Sequence, residues 1–504
     1  MRKLRLLALL LALSLLGACS SSTPVDGVPT EQGGAPVSQA PQELHLPYVK
    51  TASLDPLSTT SRVNQELSAL IFDPLVLLDE ALAPTPLLAQ SITVEGLGVT
   101  ITLKPGLTFH DGSALTSADV VYTLSRIKAG GTNYDARMAG VSTIEAVDET
   151  TVSLTLLFEN NLFASLLEIP ILKAPSDGES FSPVGSGKFS FDEQNALLLA
   201  NDNWVGGPVA LSRIGLVDTP DMQAASFALS TGEISLMTSL GAKSSYGGVS
   251  YVSNNLVFLG VNPSCAALST AELRRALSSA LSRSTLVDDN VATGGFVALS
   301  PISSKWYLYD SSAVSRGTDA AYAEAMLEQA GYIPNEEGLR TTANGRTLSL
   351  RLLCNSSSAE RGALAVSISN QLSAFGYDVT VVEAAAEEYA SLIRAGNFDL
   401  YLGEVRLTPD MDLTPLVGTG GSLNHARFSS PTLDSALRAL KSAPAESSKA
   451  AATVLVAALD SEMPIVPLYF ALGEIAVGDD ALRGVLTPTA TNPLLGLERL
   501  RLAS

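Results

Sequence analysis

Charged and reactive side chains crowd together at only a few places in this chain. The run Glu404-Val405-Arg406-Leu407-Thr408-Pro409-Asp410-Met411-Asp412 sets carboxylates beside a guanidinium. A charge is costly to remove from water unless a ligand or a neighbour pairs it. The run therefore reads either as a cleft wall or as a solvated loop with a local ion pair. Gly185-Ser186-Gly187-Lys188 echoes a phosphate loop, but Ser182 stands where the first glycine is needed and Phe189 where Ser or Thr must follow the lysine. It reads better as a Gly-rich turn entering a strand. His110-Asp111 could act as an acid and base, yet Asp111-Gly112 is a hairpin-type turn signal with a conformational job of its own. No Gly-x-Ser-x-Gly elbow is present, so the usual serine-hydrolase signature is missing. His45, His110 and His425 lie far apart and give no metal-ligand spacing. No cofactor and no metal is expected.

Cysteine chemistry is concentrated at the N-terminus. Arg2, Lys3 and Arg5 form a basic head, Leu6 to Leu16 is apolar, and Leu16-Gly17-Ala18-Cys19 reads as a lipobox. Residues 1–18 are expected to be a lipoprotein signal peptide, with Cys19 as the lipidation site and the body held outside the cell membrane. The apolar run is too short to span a bilayer as a stable anchor. Residues 19–42 follow as the lipidated cysteine plus a tether rich in Ser, Pro, Gly and Gln, a composition that cannot offset its ordering entropy by burial. Beyond Cys19 only Cys265 and Cys354 remain. A disulfide between them is permitted outside the cell, and two buried thiols are equally compatible.

The elements that must position these groups alternate in type. Leu44, Leu46 and Tyr48 mark an opening strand, and Asn64 to Phe72 has helical spacing. Val99 to Leu103 alternates, turns at Lys104-Pro105-Gly106, and Leu107 to His110 returns as a short strand. Thr116 and Asp119 form a capping box before a helix bearing Val120, Val121, Leu124 and Ile127. Strands are expected at Thr143–Val147, Thr151–Leu156 and Ala196–Ala200, and a helix at Asp221–Thr231 ending on Gly232. Asn255–Val261 is a nearly continuous apolar run, the pattern of a strand buried on both faces. Helices at Thr270–Leu281, Asp319–Ala330, Ala359–Phe375, Leu433–Lys441 and Ser447–Asp460 interleave with strands at Leu348–Leu353, Asp378–Glu383, Phe398–Leu402 and Ile465–Phe470. The class is α/β.

Composition narrows the partners. The 504 residues carry a formal charge of −20, which becomes more negative once the basic leader is removed. Nucleic acid and anionic lipid both require a cationic face, so neither is expected as a partner. No second hydrophobic run reaches transmembrane length.

Val99 to Arg126, VTITLKPGLTFHDGSALTSADVVYTLSR, closely resembles the signature of the family 5 extracellular solute-binding proteins, the peptide, dipeptide and nickel receptors of ABC importers. Other blocks resemble the family's in order: Ser53-Leu54-Asp55-Pro56, Pro183 to Phe189, Gly232-Glu233-Ile234, Leu273 to Arg283, Ala325 to Tyr332 and Asn424 to Asp434. There are departures. Ser282 stands where the family usually has Asp, and Lys188 replaces the Pro of the Gly-rich turn. Peptide-binding members carry a Trp shortly before an Asp that pairs with the peptide's α-amino group. Here Asp410 aligns with that acid, and Leu407 occupies the Trp position.

The resemblance implies a two-lobe, hinged periplasmic-binding-protein-like fold of the three-part, cluster C type. Residues 43–262 would form the first lobe, with an inserted subdomain at about 68–175, residues 263–468 the second, and 469–504 a return to the first. The chain would cross between lobes near Val261-Asn262 and near Leu468-Phe470. Ligand contacts are expected from Thr60, Arg62, Asn64, Trp306, Tyr307, Arg406, Leu407, Thr408, Asp410 and Asn424; Trp306 reads equally well as a core or rim aromatic. The implied function is a membrane-tethered receptor that captures a small solute, foremost a short peptide, and passes it to an ABC permease and ATPase, with no catalysis. The alternatives are a receptor for a nickel complex or other small solute, a solute sensor, and last an extracytoplasmic hydrolase.

Overall fold

The computed structural model describes residues 43–175, 181–240, 248–315, 317–478 and 482–502. The leader, Cys19 and the tether lie outside them. Three sheets organise the rest. In the first, Leu44–Tyr48 runs parallel to Arg213–Asp218, which pairs with Leu197–Ala200 and through it with Phe189–Asp192. The second is an antiparallel sheet in the order Ala89–Glu95, Gly98–Leu103, Thr151–Leu156 and Val141–Ala146. The helix Ser117–Ala129 packs on it through Val120, Leu124 and Ile127. Asp119 begins that helix as expected: its carboxylate accepts the Thr116 backbone N–H at 2.8 Å and the Thr116 hydroxyl at 3.2 Å.

The third sheet has seven strands. Leu236–Leu240, Ile465–Val477, Gly248–Val261, Leu400–Arg406, Ser349–Asn355 and Asp378–Ala384 lie side by side, and Gly295–Val297 adds to Ile465–Val477. Ser349–Asn355 is parallel to both of its neighbours, because the helices Ala359–Ser373 and Ala386–Ala395 supply the crossovers that parallel strands need. A separate hydrophobic core gathers here, including Val257, Leu259, Leu350, Leu352, Leu364, Ile368, Leu400 and Val466.

The strand Gly248–Val261 is longer than its apolar run predicted. Its register against Ile465–Val477 breaks between Val252 and Leu256. On one side of the break Gly248–Val252 pairs with Leu472–Ala476; on the other Leu256–Gly260 pairs with Ile465–Phe470 and also with Leu400–Arg406. The strand Leu400–Arg406 likewise outruns its predicted end at Leu402, because the ladder continues to Asn255 opposite Arg406. Glu404 and Arg406 therefore sit on a strand end and not in a loop. Glu404 pairs with Arg361 at 2.5 Å and accepts from Asn255 Nδ2 at 3.0 Å.

Leu107 to His110 does not become a strand. Only the single bridge Thr108–Ala114 forms. The His110 backbone N–H is taken by the Gly185 carbonyl at 2.8 Å, and its ring Nε2 meets the Gly187 carbonyl at 2.9 Å. His110 is thus a clamp on the Gly-rich turn. That turn needs its glycines because it presses on the C-terminal end of the helix Arg62–Ile71: a Cβ on Gly185 would stand 1.9 Å from the Ile71 carbonyl oxygen. Behind it, the buried Lys188 pairs with Glu498 at 2.9 Å and lies over the Trp204 ring. Cys265 and Cys354 are free thiols.

Candidate functional site

Two adjoining cavities, of about 360 and about 500 Å³, share the wall residues Ala136, Arg137, Arg406, Leu407 and Thr408. The helix Arg62–Ile71 forms one side of the smaller cavity. Its N-cap Ser61 accepts from the Asn64 N–H, and the spacing of Arg62, Gln65, Glu66 and Ala69 puts all four on the cavity face. Arg62 Nε holds Glu66 at 2.7 Å, and its Nη2 donates to the Tyr251 hydroxyl at 3.2 Å. Burial, reinforced by the Glu66 charge, pushes the Tyr251 phenol up to about 12, so it remains a neutral donor. Tyr251, Ser253 and Asn255 reach this cavity from around the register break in Gly248–Val261.

Arg137 comes from the short helix Asp135–Met138, whose start is fixed by Asp135 accepting the N–H groups of Gly131 and Thr132 at 2.8 and 2.9 Å. Its Nη1 donates to the Glu168 carbonyl oxygen at 2.6 Å, and its guanidinium lies 5.2 Å from the Tyr134 ring centroid. Burial lowers its pKa and the neighbouring Arg406 lowers it further, against the attraction of Glu168. The Glu168 carboxylate accepts from the Leu78 N–H at 3.0 Å; burial raises its pKa, only partly countered by Arg137 and the Thr491 hydroxyl.

The larger cavity is lined by Asn160, Asp410, Asp412, Leu423 and Lys441, with Phe158, Phe163 and Leu166 as apolar wall. Asp410 accepts from the Thr408 hydroxyl at 2.6 Å and from Asn160 Nδ2 at 3.1 Å. Burial and then the Asp412 charge raise its pKa. Lys441 pairs with Asp412 at 2.6 Å and covers the Phe158 ring at 4.7 Å.

Of the residues expected to contact a ligand, Arg62, Arg406, Leu407, Thr408 and Asp410 line these cavities. The others sit elsewhere. Thr60 is exposed and outside both walls. Asn64 is fully buried and closes the turn before its helix: its amide donates to the carbonyls of Val49, Ala52 and Ser53, and its oxygen accepts the Val49 N–H. Asn424 is spent in the same way on Gly418 and Phe428. Trp306 is buried in the core, edge-on to Tyr307. Tyr307 is half-buried, with its N–H on the Ala81 carbonyl and its phenol pKa raised by burial and by the nearby Asp410.

The sequence reading missed Glu66, Tyr134, Arg137, Asn160, Glu168, Tyr251 and Lys441. One signal was available: Glu168 is a lone charge inside the apolar run Leu162–Leu172. The remainder come from distant segments with no motif to join them. Among the described residues, no group of three or more His, Cys, Asp or Glu is placed to hold a metal.

A model of the bacterial extracellular solute-binding proteins, family 5 (middle region), matches residues 83–423. Protein XP55 of Streptomyces lividans is 28% identical over 419 residues, covering 76% of each chain. The oligopeptide-binding protein AppA of Bacillus subtilis is 26% identical over 432 residues, 78% of each chain. AppA in complex with a nonapeptide superposes with a TM-score of 0.62 at 22% identity, over 92% of this chain and 100% of that one. NikZ of Campylobacter jejuni in complex with Ni(L-His) does so with a TM-score of 0.64 at 20% identity, over 90% and 97%. The likeness to these structures shows the fold, that of two-lobe periplasmic binding proteins.

Proposed function

The chain belongs to the family 5 bacterial extracellular solute-binding proteins, and from that premise we propose that it is a lipid-tethered receptor that captures a short peptide and delivers it to a membrane permease. The family works outside the cytoplasm as the non-enzymatic receptors of peptide and nickel ABC importers, alongside permease and ATPase subunits. The observation that carries the reading is the pair of joined cavities. Their volumes fall within the range of small-molecule sites, roughly 300–1,000 Å³, and their walls come from segments as distant as Arg62, Arg137, Tyr251, Arg406 and Asn492.

A ligand touching all of these would favour the closed arrangement, since it shifts only an equilibrium for which it has differential affinity. The lobes are proposed at 43–262, with the inserted subdomain at about 68–175, and 263–468, the chain returning over 469–504. The second core, drawn from Val257 to Tyr469, accompanies part of that division, while Trp306 and residues from Leu407 to Leu459 pack into the larger core. The break at Val252–Leu256 beside the smaller cavity would make Gly248–Val261 and Ile465–Val477 the hinge strands.

The tether belongs to the mechanism. Cys19 in its lipobox and the segment to Gln42 would keep the receptor near the permease at high effective concentration. Native mass spectrometry of freshly purified protein tests the cargo, and a retained peptide mass is the expected result. Likeness to NikZ favours a metal chelate as the second reading, which the same spectrum would reveal by its metal isotope pattern. A Cys19→Ala form should bind solute normally in solution and fail to support uptake by whole cells. Full uptake by that form would reduce the anchor to an address.

A further inference from the structure

The four basic and four acidic side chains lining the two cavities balance in number, but among the described residues not all of them are in contact pairs. Glu66 is matched by Arg62 and Asp412 by Lys441. Asp410 has the Thr408 hydroxyl and the Asn160 amide, and Glu168 the Leu78 N–H. Arg137 and Arg406 are left without a contact ion pair, although the Glu168 charge attracts Arg137 from a longer distance. Both line both cavities, and among the described residues neither has a carboxylate within ion-pair distance. Arg406 is exposed at its strand end, and Arg137 uses one guanidinium N–H on the Glu168 carbonyl. A guanidinium presents five donors, so most of this hydrogen-bonding capacity lacks a protein partner among the described residues.

Two like charges close enough to repel are held in one wall of a protein whose formal charge is −20. A general positive field does not account for them. Packing does not require it either, since Arg406 is exposed. Such a pair is stabilised when an anion lies between its members, and planar guanidinium groups match the two oxygens of a carboxylate.

We propose that Arg137 and Arg406 form a carboxylate receptor at the junction of the two cavities, so that the preferred solute carries an acidic group where it crosses from one cavity to the other. The proposal rests on this cleft being the solute site. It makes acidic peptides, or other small carboxylates of similar reach, the favoured cargo. Asp410 in the larger cavity would exchange its Asn160 contact for a cationic end of the same molecule.

The test uses the full-length chain and two kinds of probe. Calorimetry compares Ala-Glu-Ala with Ala-Gln-Ala, each with a free and an amidated C-terminus, and thermal melting is followed with succinate. The Glu peptide should bind about tenfold tighter than the Gln peptide, or more, as expected for a charge-assisted hydrogen-bond pair. If amidation and not the Gln replacement removes the gain, the receptor reads the terminal carboxylate. Succinate should raise the melting temperature. Arg406→Gln should erase both effects while melting, without ligand, at the wild-type temperature, and Arg406→Lys should restore part of them. Arg137→Gln should act in the same direction. Stabilisation by succinate that is lost in Arg406→Gln, with no tripeptide bound, would uphold the receptor and remove the peptide reading. Equal affinity for all four peptides with no response to succinate, no binding by any probe, or a charge preference that survives in Arg406→Gln would overturn it.

Discussion

Asn160 and Asp410, 250 positions apart in the chain, meet in the wall of the larger cavity, where Asn160 Nδ2 donates to Asp410 Oδ2 at 3.1 Å. The acid that the family resemblance marks as an amine receptor is therefore already hydrogen-bonded by the protein. A ligand ammonium offers three donors and can replace the single amide contact.

That exchange sets the first prediction. Asp410→Ala should weaken binding of the native solute by about tenfold or more, the worth of a charged hydrogen bond. His110→Ala should leave affinity unchanged, because His110 only clamps the Gly185 and Gly187 carbonyls. Calorimetry on both variants decides the matter. Equal effects, or none, would remove Asp410 from the site.

Lys188 and Glu498 form a buried pair, and losing Lys188 leaves the Glu498 carboxylate with only the exposed Arg499 at 3.4 Å. Lys188→Met should cost about 3–5 kcal/mol in urea denaturation. Replacing both, with Glu498→Gln added, should recover part of that loss. A double variant no more stable than the single would show that the cost lies in packing against Trp204 and not in the orphaned charge.

Asp73 is buried, accepts the Trp204 indole N–H at 2.9 Å, and burial raises its pKa to about 7. The folded protein therefore holds this proton more tightly than the unfolded chain does. The associated stability is fully present below about pH 4, where both states are protonated, and is lost as pH rises through about 7. Asp73→Asn keeps an acceptor for the indole and removes the titration. Its urea midpoint should fall less between pH 5 and pH 7 than that of wild type, and parallel slopes would refute this.

Gly185→Ala tests the close approach of the Gly-rich turn to Ile71. With the Cβ at 1.9 Å from a backbone oxygen, the turn must move, and His110 loses its carbonyl acceptors with it. The expected cost exceeds about 3 kcal/mol, well above an ordinary substitution. A melting temperature near wild type would mean that the turn yields freely.

Local features were legible in the amino-acid order because their causes are local. Thr116 and Asp119 predicted a helix start, Asp221 and Gly232 bracketed another, and the absence of the first phosphate-loop glycine and of a following Ser or Thr argued against a nucleotide site at Lys188. The unbroken motif from Val99 to Arg126 carried the family, and the lipobox at Cys19 the expected address. Which polar side chains face the cleft was decided by packing between distant segments. Asn64 and Asn424 looked like ligand contacts, but nearby backbone groups consume their amides. Arg137 drew no notice in the sequence, yet it shares a cavity wall with Arg406. A side chain's freedom to bind depends on which partners surround it after folding. For Arg137 and Arg406 that is settled by a strand ladder reaching Asn255 and by a short helix that starts at Asp135, features that only the assembled chain brings together.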